Sequence, residues 1–202
     1  MRLIDASDDS QIWGNQYVKN SSDVLVAQNE IAQAVVNNLR LKLTDSEQKK
    51  LGKNYTENVA AYQLYLTGRF HVFKLTPPEI NKGISYFQQA IELDPNYALA
   101  YAGLSDAYRS LAVGGEMSPT EFLPKAKSLS KKAIEIDETL SEGHTGLGFT
   151  IFWGDWNWNE SENQFKRALE LNPNSANAHL FYAHLLSNTG RHAEARTIAS
   201  ER

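Results

Sequence analysis

The sequence predicts an all-α protein, a superhelix of helix-turn-helix repeats that follows a short N-terminal β-hairpin. One segment occurs three times, at intervals of 43 and 35 residues, as Ala90–Asn96, Ala133–Thr139 and Ala168–Asn174. A period in this range is typical of helical solenoids. Two of the three copies contain Asp-Pro or Asn-Pro, and proline disfavours helical geometry in the residue before it. Each copy therefore predicts the end of a helix and a turn into the next one.

The composition excludes several classes of ligand and site. Of the 202 residues, 42% are hydrophobic and the net charge is -4, with Lys and Arg dispersed along the chain. The positive patch of a nucleic-acid-binding protein is missing, so we expect no nucleic acid to bind this segment. The absence of cysteine excludes disulfides and cysteine-based zinc sites. No apolar run approaches the roughly 18 residues of a membrane span.

The first twenty residues have the alternation of two strands. Leu3–Ala6 and Gln11–Tyr17 flank the polar turn Ser7–Ser10, which predicts one hairpin. A lone hairpin has no sheet to join. We therefore expect residues 1–20 to be the remnant of an upstream domain. The last helical pattern stops before its proline, so we also expect the chain to be a fragment of a longer protein.

Residues 21–56 are predicted to form a helical linker. Apolar residues recur at helical spacing between Asp23 and Leu43. Thr44–Glu47 is a capping box, which predicts the start of a second, short helix.

From residue 57 onward the pattern changes to pairs of helices. Phe87 precedes Ala90 by three residues, and Phe165 precedes Ala168 in the same way, which places a large and a small side chain on one helix face. Where helices cross, the small residue lets the backbones approach while the large one fills the neighbouring groove. The predicted repeats are residues 61–96, 97–139, 140–174 and a partial fourth at 175–202.

These residues resemble the tetratricopeptide repeat, a helix-turn-helix unit of about 34 residues. The resemblance covers about residues 57–202 and implies a right-handed αα superhelix. The matching residues are Leu64, Gly68, Phe87, Ala90 and Pro95 in the first repeat; Tyr101, Leu104, Ser105, Tyr108, Ala126 and Ala133 in the second, with Glu138 in place of proline; His144, Leu147, Gly148, Ile151, Phe165, Ala168 and Pro173 in the third; and Gly190 and Ala195 in the fourth.

The second repeat departs from the family in length, with extra residues in the segment 113–123. Ser118 and Pro119, with Glu121, predict a late start of its second helix. The segment has two interpretations: it covers the groove, or it lengthens a helix.

A second resemblance concerns the chain as a whole. It is carried by Leu3–Ala6, Trp13, Tyr17, the helix that ends at Leu43, Ala61–Arg69 and Trp156–Trp158. With these features the chain resembles the carboxy-terminal segment of bacterial signalling proteins, in which a TolB-like domain precedes tetratricopeptide repeats. The amino-terminal effector of that family is a winged-helix domain, a nucleotide cyclase or a protein kinase. The resemblance implies a sensory or scaffolding segment whose effector lies outside this chain.

Candidate chemical sites have simpler structural explanations. The glycines of Gly143–Gly148 follow no strand and do not match a nucleotide-binding turn, so we expect them to serve helix packing. No two histidines have the four-residue spacing of metal ligands on a helix. The acidic pairs Asp8/Asp9 and Glu160/Glu162 lie in turns or first helical turns, where carboxylates favour the helix dipole. Trp153, Trp156 and Trp158 are expected to be core residues, with a stacking platform for a sugar or base as the alternative.

We therefore expect the functional residues to lie on the surface that stacked repeats create. First helices of such repeats line a concave groove that suits a peptide or a partner helix. The alternative for each residue is that it only contacts the next repeat. In family members that bind a terminal carboxylate, Lys and Asn occupy the places held here by Tyr65, Ala102, Asp106 and Thr145, so that ligand is not expected. The predicted groove residues are Tyr62, Tyr65, Arg69, Leu99, Asp106, Arg109, Phe149, Phe152, Trp153, Asn177, Phe181 and His184.

Two functional hypotheses follow. The first is a non-catalytic protein-binding module that recruits a protein or peptide partner for an effector. The second is a structural linker that forms a homo-oligomer through the hairpin edge or the open ends of the solenoid. Neither needs a cofactor or metal, and no nucleophile is paired with a base, so an enzyme is not expected. The implied effectors place the segment in the cytoplasm, unless an upstream membrane span places it outside.

Overall fold

The computed structural model describes residues 2–4, 7–16, 24–39, 44, 48, 51–113 and 115–200. The chain divides into two compact units, Met1–Val59 and Ala60–Arg202, which are described separately.

The first unit begins with the predicted hairpin. Strands β1 (Arg2–Ile4) and β2 (Gln11–Gly14) pair antiparallel, and Leu3 lies opposite Trp13. The turn is closed by the Asp8 carboxylate, which accepts a hydrogen bond from the backbone N–H of Ser10 at 2.9 Å. The hairpin is confirmed, and β2 ends at Gly14, before the described residues Asn15 and Gln16 that the alternation also placed in the strand.

Helix α1 (Val24–Asn38) follows the hairpin in the first unit. Beyond it, the Gln48 side chain donates a hydrogen bond to the Gln33 side chain at 2.8 Å. The predicted continuation of the helix to Leu43 and most of the capping box at 44–47 lie outside the described residues.

The described residues of the second unit form four successive helix pairs, which confirms the predicted all-α repeat architecture. In each pair a first helix is followed by a turn and a second helix. The helices are α2 (Val59–Val72) and α3 (Pro77–Leu93), α4 (Ala98–Val113) and α5 (Pro119–Ile136), α6 (Ser141–Thr150) and α7 (Trp158–Leu171), and α8 (Ala176–Asn188) and α9 (His192–Ser200).

The segment that occurs three times in the sequence ends a helix with the same geometry each time. Asp94, Asp137 and Asn172 leave the helix in an extended conformation and donate their N–H to the carbonyl four residues back at 2.9 Å. Each side chain also accepts a hydrogen bond from the backbone N–H two residues later. This local turn satisfies backbone groups that a helix end would otherwise leave open.

Glycine–phenylalanine contacts hold the two helices of a pair together. A Cβ added to Gly68 would lie 2.8 Å from the ring of Phe87, and a Cβ added to Gly148 would lie 2.8 Å from the ring of Phe165. Both rings are fully buried. The second pair replaces this contact with hydrogen bonds of two serines: Ser105 donates to the Ala126 carbonyl at 3.0 Å and shares a 2.9 Å hydrogen bond with Ser130.

Part of segment 113–123 is helical, since Val113 ends α4, residues 115–118 form a turn and residues 119–123 begin α5; this favours the interpretation that the segment lengthens a helix. Helix α5 begins at Pro119, and Phe122 in its first turn is buried. Ser118 stands at the predicted N-cap, but its hydroxyl pairs with Thr120 at 3.0 Å and makes no capping hydrogen bond. The cap position is right and the predicted capping bond is wrong.

Candidate functional site

The predicted groove residues all lie on the first helix of a pair or directly after it. We call this surface the first-helix face. Its members are Tyr62, Tyr65 and Arg69 on α2; Leu99, Asp106 and Arg109 on α4; Phe149 on α6, with Phe152 and Trp153 in the turn that follows; and Asn177, Phe181 and His184 on α8.

Arg109 stands at the centre of the first-helix face and joins three helix pairs. Its guanidinium lies 4.8 Å from the centre of the Phe181 ring and 5.5 Å from the centre of the Phe149 ring. The two rings meet edge to face at 5.0 Å. Asp106, one turn back, accepts hydrogen bonds from the guanidinium, including one from Nε at 3.0 Å. The carboxylate and the two rings thus fix the direction of a cation whose side chain is only 18% exposed.

A second cluster occupies the α2 end of the face. The Arg69 guanidinium lies 6.0 Å from the ring centre of Tyr65 and 5.1 Å from that of Phe73. Tyr65 is buried, and its burial raises the pKa of its phenol to about 12, so it stays neutral. Phe73 is exposed and was not predicted as a groove residue. Its position four residues after Arg69, in the turn that continues α2, was the available signal.

The twelve predicted residues separate into exposed and buried groups. Arg69, Trp153, Asn177 and His184 are exposed, and Tyr62, Leu99, Asp106 and Arg109 are partly exposed. The remaining side chains support this surface from below, because first helices also contact each other there. These buried residues are Tyr65, Phe149, Phe152 and Phe181.

The expectation that the three tryptophans are core residues is wrong. Trp153, Trp156 and Trp158 are 43%, 66% and 46% exposed. They lie around a π-helical turn, Ile151–Asp155, and Trp156 has a left-handed φ of 56°. The turn is tied to α5 by an ion pair between Lys127 and Asp155. This wide turn at the end of α6 directs the indoles towards solvent.

The glycine segment serves helix packing, as predicted. Added Cβ atoms would meet Ile134 at 2.9 Å from Gly143 and the Ser130 hydroxyl at 2.5 Å from Gly146. Both contacts are with the preceding helix pair. These glycines therefore allow α6 to approach α4 and α5 closely.

A network of charged groups links the last two pairs. The Glu162 carboxylate accepts hydrogen bonds from Arg191 at 2.6 Å and from the Tyr182 hydroxyl at 2.8 Å, and it pairs with Lys166 at 2.8 Å. These donors, Arg191 first, lower the pKa of Glu162 to about 2. The charged Glu162 carboxylate therefore links the third and fourth helix pairs, in addition to its predicted favourable position in the first turns of a helix.

The described part of the chain lacks two other kinds of feature. No group of three or more His, Asp or Glu side chains there is placed to hold a metal ion. None of its helices is both long enough and apolar enough to cross a membrane.

Comparison with known proteins identifies the repeat. Residues 157–201 match the family model of the tetratricopeptide repeat. A curated protein of Rhizobium meliloti (strain 1021), named putative adenylate cyclase 3, is 28% identical over 153 residues, which cover 75% of this chain and 26% of that protein. This chain thus spans about a quarter of the length of that relative.

Solved structures show the same architecture. A tetratricopeptide protein of Thermus thermophilus superposes with a TM-score of 0.60 at 19% identity, covering 89% of this chain and 86% of that one. The first tetratricopeptide domain of Spaghetti (RPAP3), bound to the HSP90 peptide SRMEEVD, gives a TM-score of 0.52 at 17% identity, covering 65% of this chain and 96% of that one. The chain therefore contains a tetratricopeptide repeat at residues 157–201 and has the fold of tetratricopeptide domains, with similarity to part of a bacterial protein named putative adenylate cyclase 3.

Proposed function

We propose that this chain is a non-catalytic interaction module that binds a peptide or a partner helix along the first-helix face. The observation that supports this most strongly is the Arg109 cluster. A cation held between Phe149, Phe181 and Asp106 is positioned by three helix pairs at once, so its geometry exists only when the repeats are stacked. Such preorganised arginines and aromatic rings are typical of residues that dominate binding energy.

The chemistry of the face favours a particular kind of peptide. The related structure named above holds a peptide that ends in acidic residues. Here Asp106 and Glu142 place carboxylates on the first helices, and Glu142 is exposed. Arg69 and Arg109 balance these two carboxylates, so the face has no excess of positive charge to attract an acidic ligand. We propose a ligand with aromatic or aliphatic anchors for the exposed rings Trp153 and Phe73, and without a gripped terminal carboxylate.

We also propose that the chain belongs to a longer bacterial signalling protein. In this scheme residues 1–20 are the remnant of a TolB-like domain, residues 21–56 are a linker and residues 57–202 are the repeat domain. The similarity to about a quarter of a protein named as a cyclase supports this arrangement. The repeats then recruit a partner for an effector outside this chain, in the cytoplasm.

Peptide selection tests the binding proposal. Random-peptide phage display against the whole 202-residue chain should select peptides, and calorimetry should give one peptide per chain. Arg109→Met should weaken the selected peptide at least tenfold, the loss expected for a binding residue worth about 1.4 kcal/mol or more.

Arg167→Met is the matched control, because Arg167 also pairs with a carboxylate three residues away but lies on the second helix α7. It should leave the affinity unchanged within about twofold, since a pair away from the bound peptide adds little to binding. Equal affinities of Arg109→Met, Arg167→Met and the unmodified chain would refute binding at the Arg109 cluster.

A further inference from the structure

Tyr97, the residue before α4, has a buried hydroxyl that finds no hydrogen-bond partner among the described residues. Its side chain is fully buried. No other buried side-chain nitrogen or oxygen in the described part of the chain lacks a partner, and the buried Tyr182 donates to Glu162 at 2.8 Å. A buried donor without a partner destabilises the folded chain. A ligand group that supplies the missing partner would explain why such a hydroxyl is present.

The Tyr97 side chain packs beneath the α2 end of the first-helix face. Its ring lies 5.3 Å from the Tyr65 ring, measured between ring centres. The Arg69 guanidinium stands over the same Tyr65 ring, 6.0 Å from its centre. Tyr65 and Arg69 both belong to the proposed peptide surface. Tyr97 adds to that surface a residue that helical spacing did not indicate, because it precedes α4 instead of lying on it.

The groups around the Tyr97 hydroxyl favour an oxygen acceptor. Burial raises the pKa of Tyr97, and the phenols of Tyr65 and Tyr62 and the Asp94 carboxylate raise it further, whereas Arg69 lowers it. The hydroxyl therefore stays protonated, and the guanidinium lies within its electrostatic reach. A protonated phenol and a guanidinium are both hydrogen-bond donors. Together they suit a carbonyl or carboxylate oxygen of a ligand.

Nearby carboxylates decide between these two acceptors. Burial raises the pKa of Tyr65 and Arg69 lowers it, but the carboxylates of Glu142 and Asp106 raise it as well. These two acids therefore lie near the cluster, and the arginines of the face only balance them. A ligand carboxylate is disfavoured there, whereas a neutral amide carbonyl is not. An amide also has N–H donors, for which the neighbouring carboxylates are acceptors.

We propose that the Tyr97 hydroxyl donates a hydrogen bond to an amide carbonyl of the bound peptide, beside the Arg69 guanidinium. The inference rests on the proposed binding of a peptide along the first-helix face and adds a residue that sets its specificity. Because Tyr97 is fully buried, binding must move a neighbouring side chain, and we expect the exposed Arg69 to move. A peptide without the amide leaves the hydroxyl unpaired and binds more weakly.

Tyr97→Phe of the whole chain tests this role, because it removes the hydroxyl and keeps the ring. In the free chain it removes an unpaired donor, so the urea midpoint should stay the same or rise. In the complex it removes the proposed hydrogen bond, so the affinity for the phage-selected peptide should fall about tenfold. A merely structural residue would not combine these two results.

Tyr182→Phe is the matched control, since it removes the hydroxyl of a buried tyrosine that already has a partner, Glu162. It should show the opposite pattern. The urea midpoint should fall, because Glu162 loses a donor. The affinity for the peptide should stay within about twofold of the unmodified chain, because Tyr182 is not among the residues of the first-helix face.

The affinities of the variants separate this inference from the proposed function. If Arg109→Met weakens the peptide and Tyr97→Phe does not, the role of Tyr97 is wrong and the binding face stands. If neither variant weakens it, the binding site itself is wrong. A lower urea midpoint of free Tyr97→Phe would overturn the inference whatever the affinity, since it would show that the hydroxyl already has a partner such as a bound water.

Substitutions in the selected peptide identify the amide. If the carbonyl belongs to an Asn or Gln side chain, changing that residue to alanine should weaken binding to the unmodified chain about tenfold and leave Tyr97→Phe unaffected. If it belongs to the peptide backbone, the effect of Tyr97→Phe should persist through every side-chain change. Loss of that effect on changing an Asp or Glu of the peptide would contradict the assignment to an amide.

Discussion

The contact between Gly148 and Phe165 allows one stability prediction to be worked out in detail. An alanine methyl at position 148 would lie 2.8 Å, 3.0 Å and 3.2 Å from three ring atoms of Phe165, whose side chain is fully buried. Overpacking of this kind costs about 1–3 kcal/mol. Replacing a helical glycine by alanine gains about 1 kcal/mol. We therefore expect Gly148→Ala to lower the free energy of unfolding by about 1 kcal/mol.

A double-mutant cycle isolates the steric part of this effect. Phe165→Leu removes ring atoms from the crowded site, so the added methyl should fit and the helical gain should remain. Gly148→Ala should then be neutral or stabilising in the Phe165→Leu background, with a coupling energy of about 1–2 kcal/mol. Urea unfolding followed by circular dichroism measures all four chains.

The control for this cycle is Gly154→Ala, since a Cβ there would meet only the side chain of Leu123, at an ordinary 3.5 Å. This change should show no coupling with Phe165→Leu. Additive effects of Gly148→Ala and Phe165→Leu would refute the steric reasoning.

Three further changes test other contacts by urea unfolding. Glu162→Gln should lower the free energy of unfolding by about 1–2 kcal/mol at neutral pH, a value that allows for solvent screening. Because folding lowers the pKa of Glu162 from 4.5 to about 2, the difference from the unmodified chain should shrink as the pH falls from about 5 towards 2. A difference that does not change with pH would argue against the network. Trp156→Gly should raise the free energy of unfolding by about 1 kcal/mol, since glycine adopts the φ of 56° without strain. A loss of stability would instead show that packing holds the exposed indole. Ser130→Ala should lower the free energy of unfolding by about 1 kcal/mol, because Ser105 keeps its hydrogen bond to the Ala126 carbonyl. A loss above about 3 kcal/mol would contradict this remaining hydrogen bond.

The repeat architecture could be predicted because its helix ends are encoded locally. Asp94 and Asn172 precede proline, and both end a helix as the sequence indicates. Asp137 precedes Glu138 instead, yet its helix ends with the same geometry. The reason is that its carboxylate accepts hydrogen bonds from the backbone N–H and the hydroxyl of Thr139. The side-chain turn, more than proline, is the shared signal.

The details of the candidate surface depend on contacts between distant residues. The tryptophan turn was not predictable, because the ion pair between Lys127 and Asp155 joins residues 28 positions apart. Spacing placed Phe149 and Phe181 on the first helices, but only packing between neighbouring pairs shows that they are buried beneath Arg109. Helical periodicity identifies a face, whereas exposure depends on what the next repeat covers.

The most direct test of the proposed function is the location of a bound peptide, measured by backbone amide chemical shifts of the whole chain with and without a phage-selected peptide. The account predicts that the largest shift changes fall on the first helices α2, α4, α6 and α8, centred on Arg109 and extending to Arg69 and His184. Changes concentrated on the second helices α3, α5 and α7, with the amides around Arg109 unaffected, would contradict it.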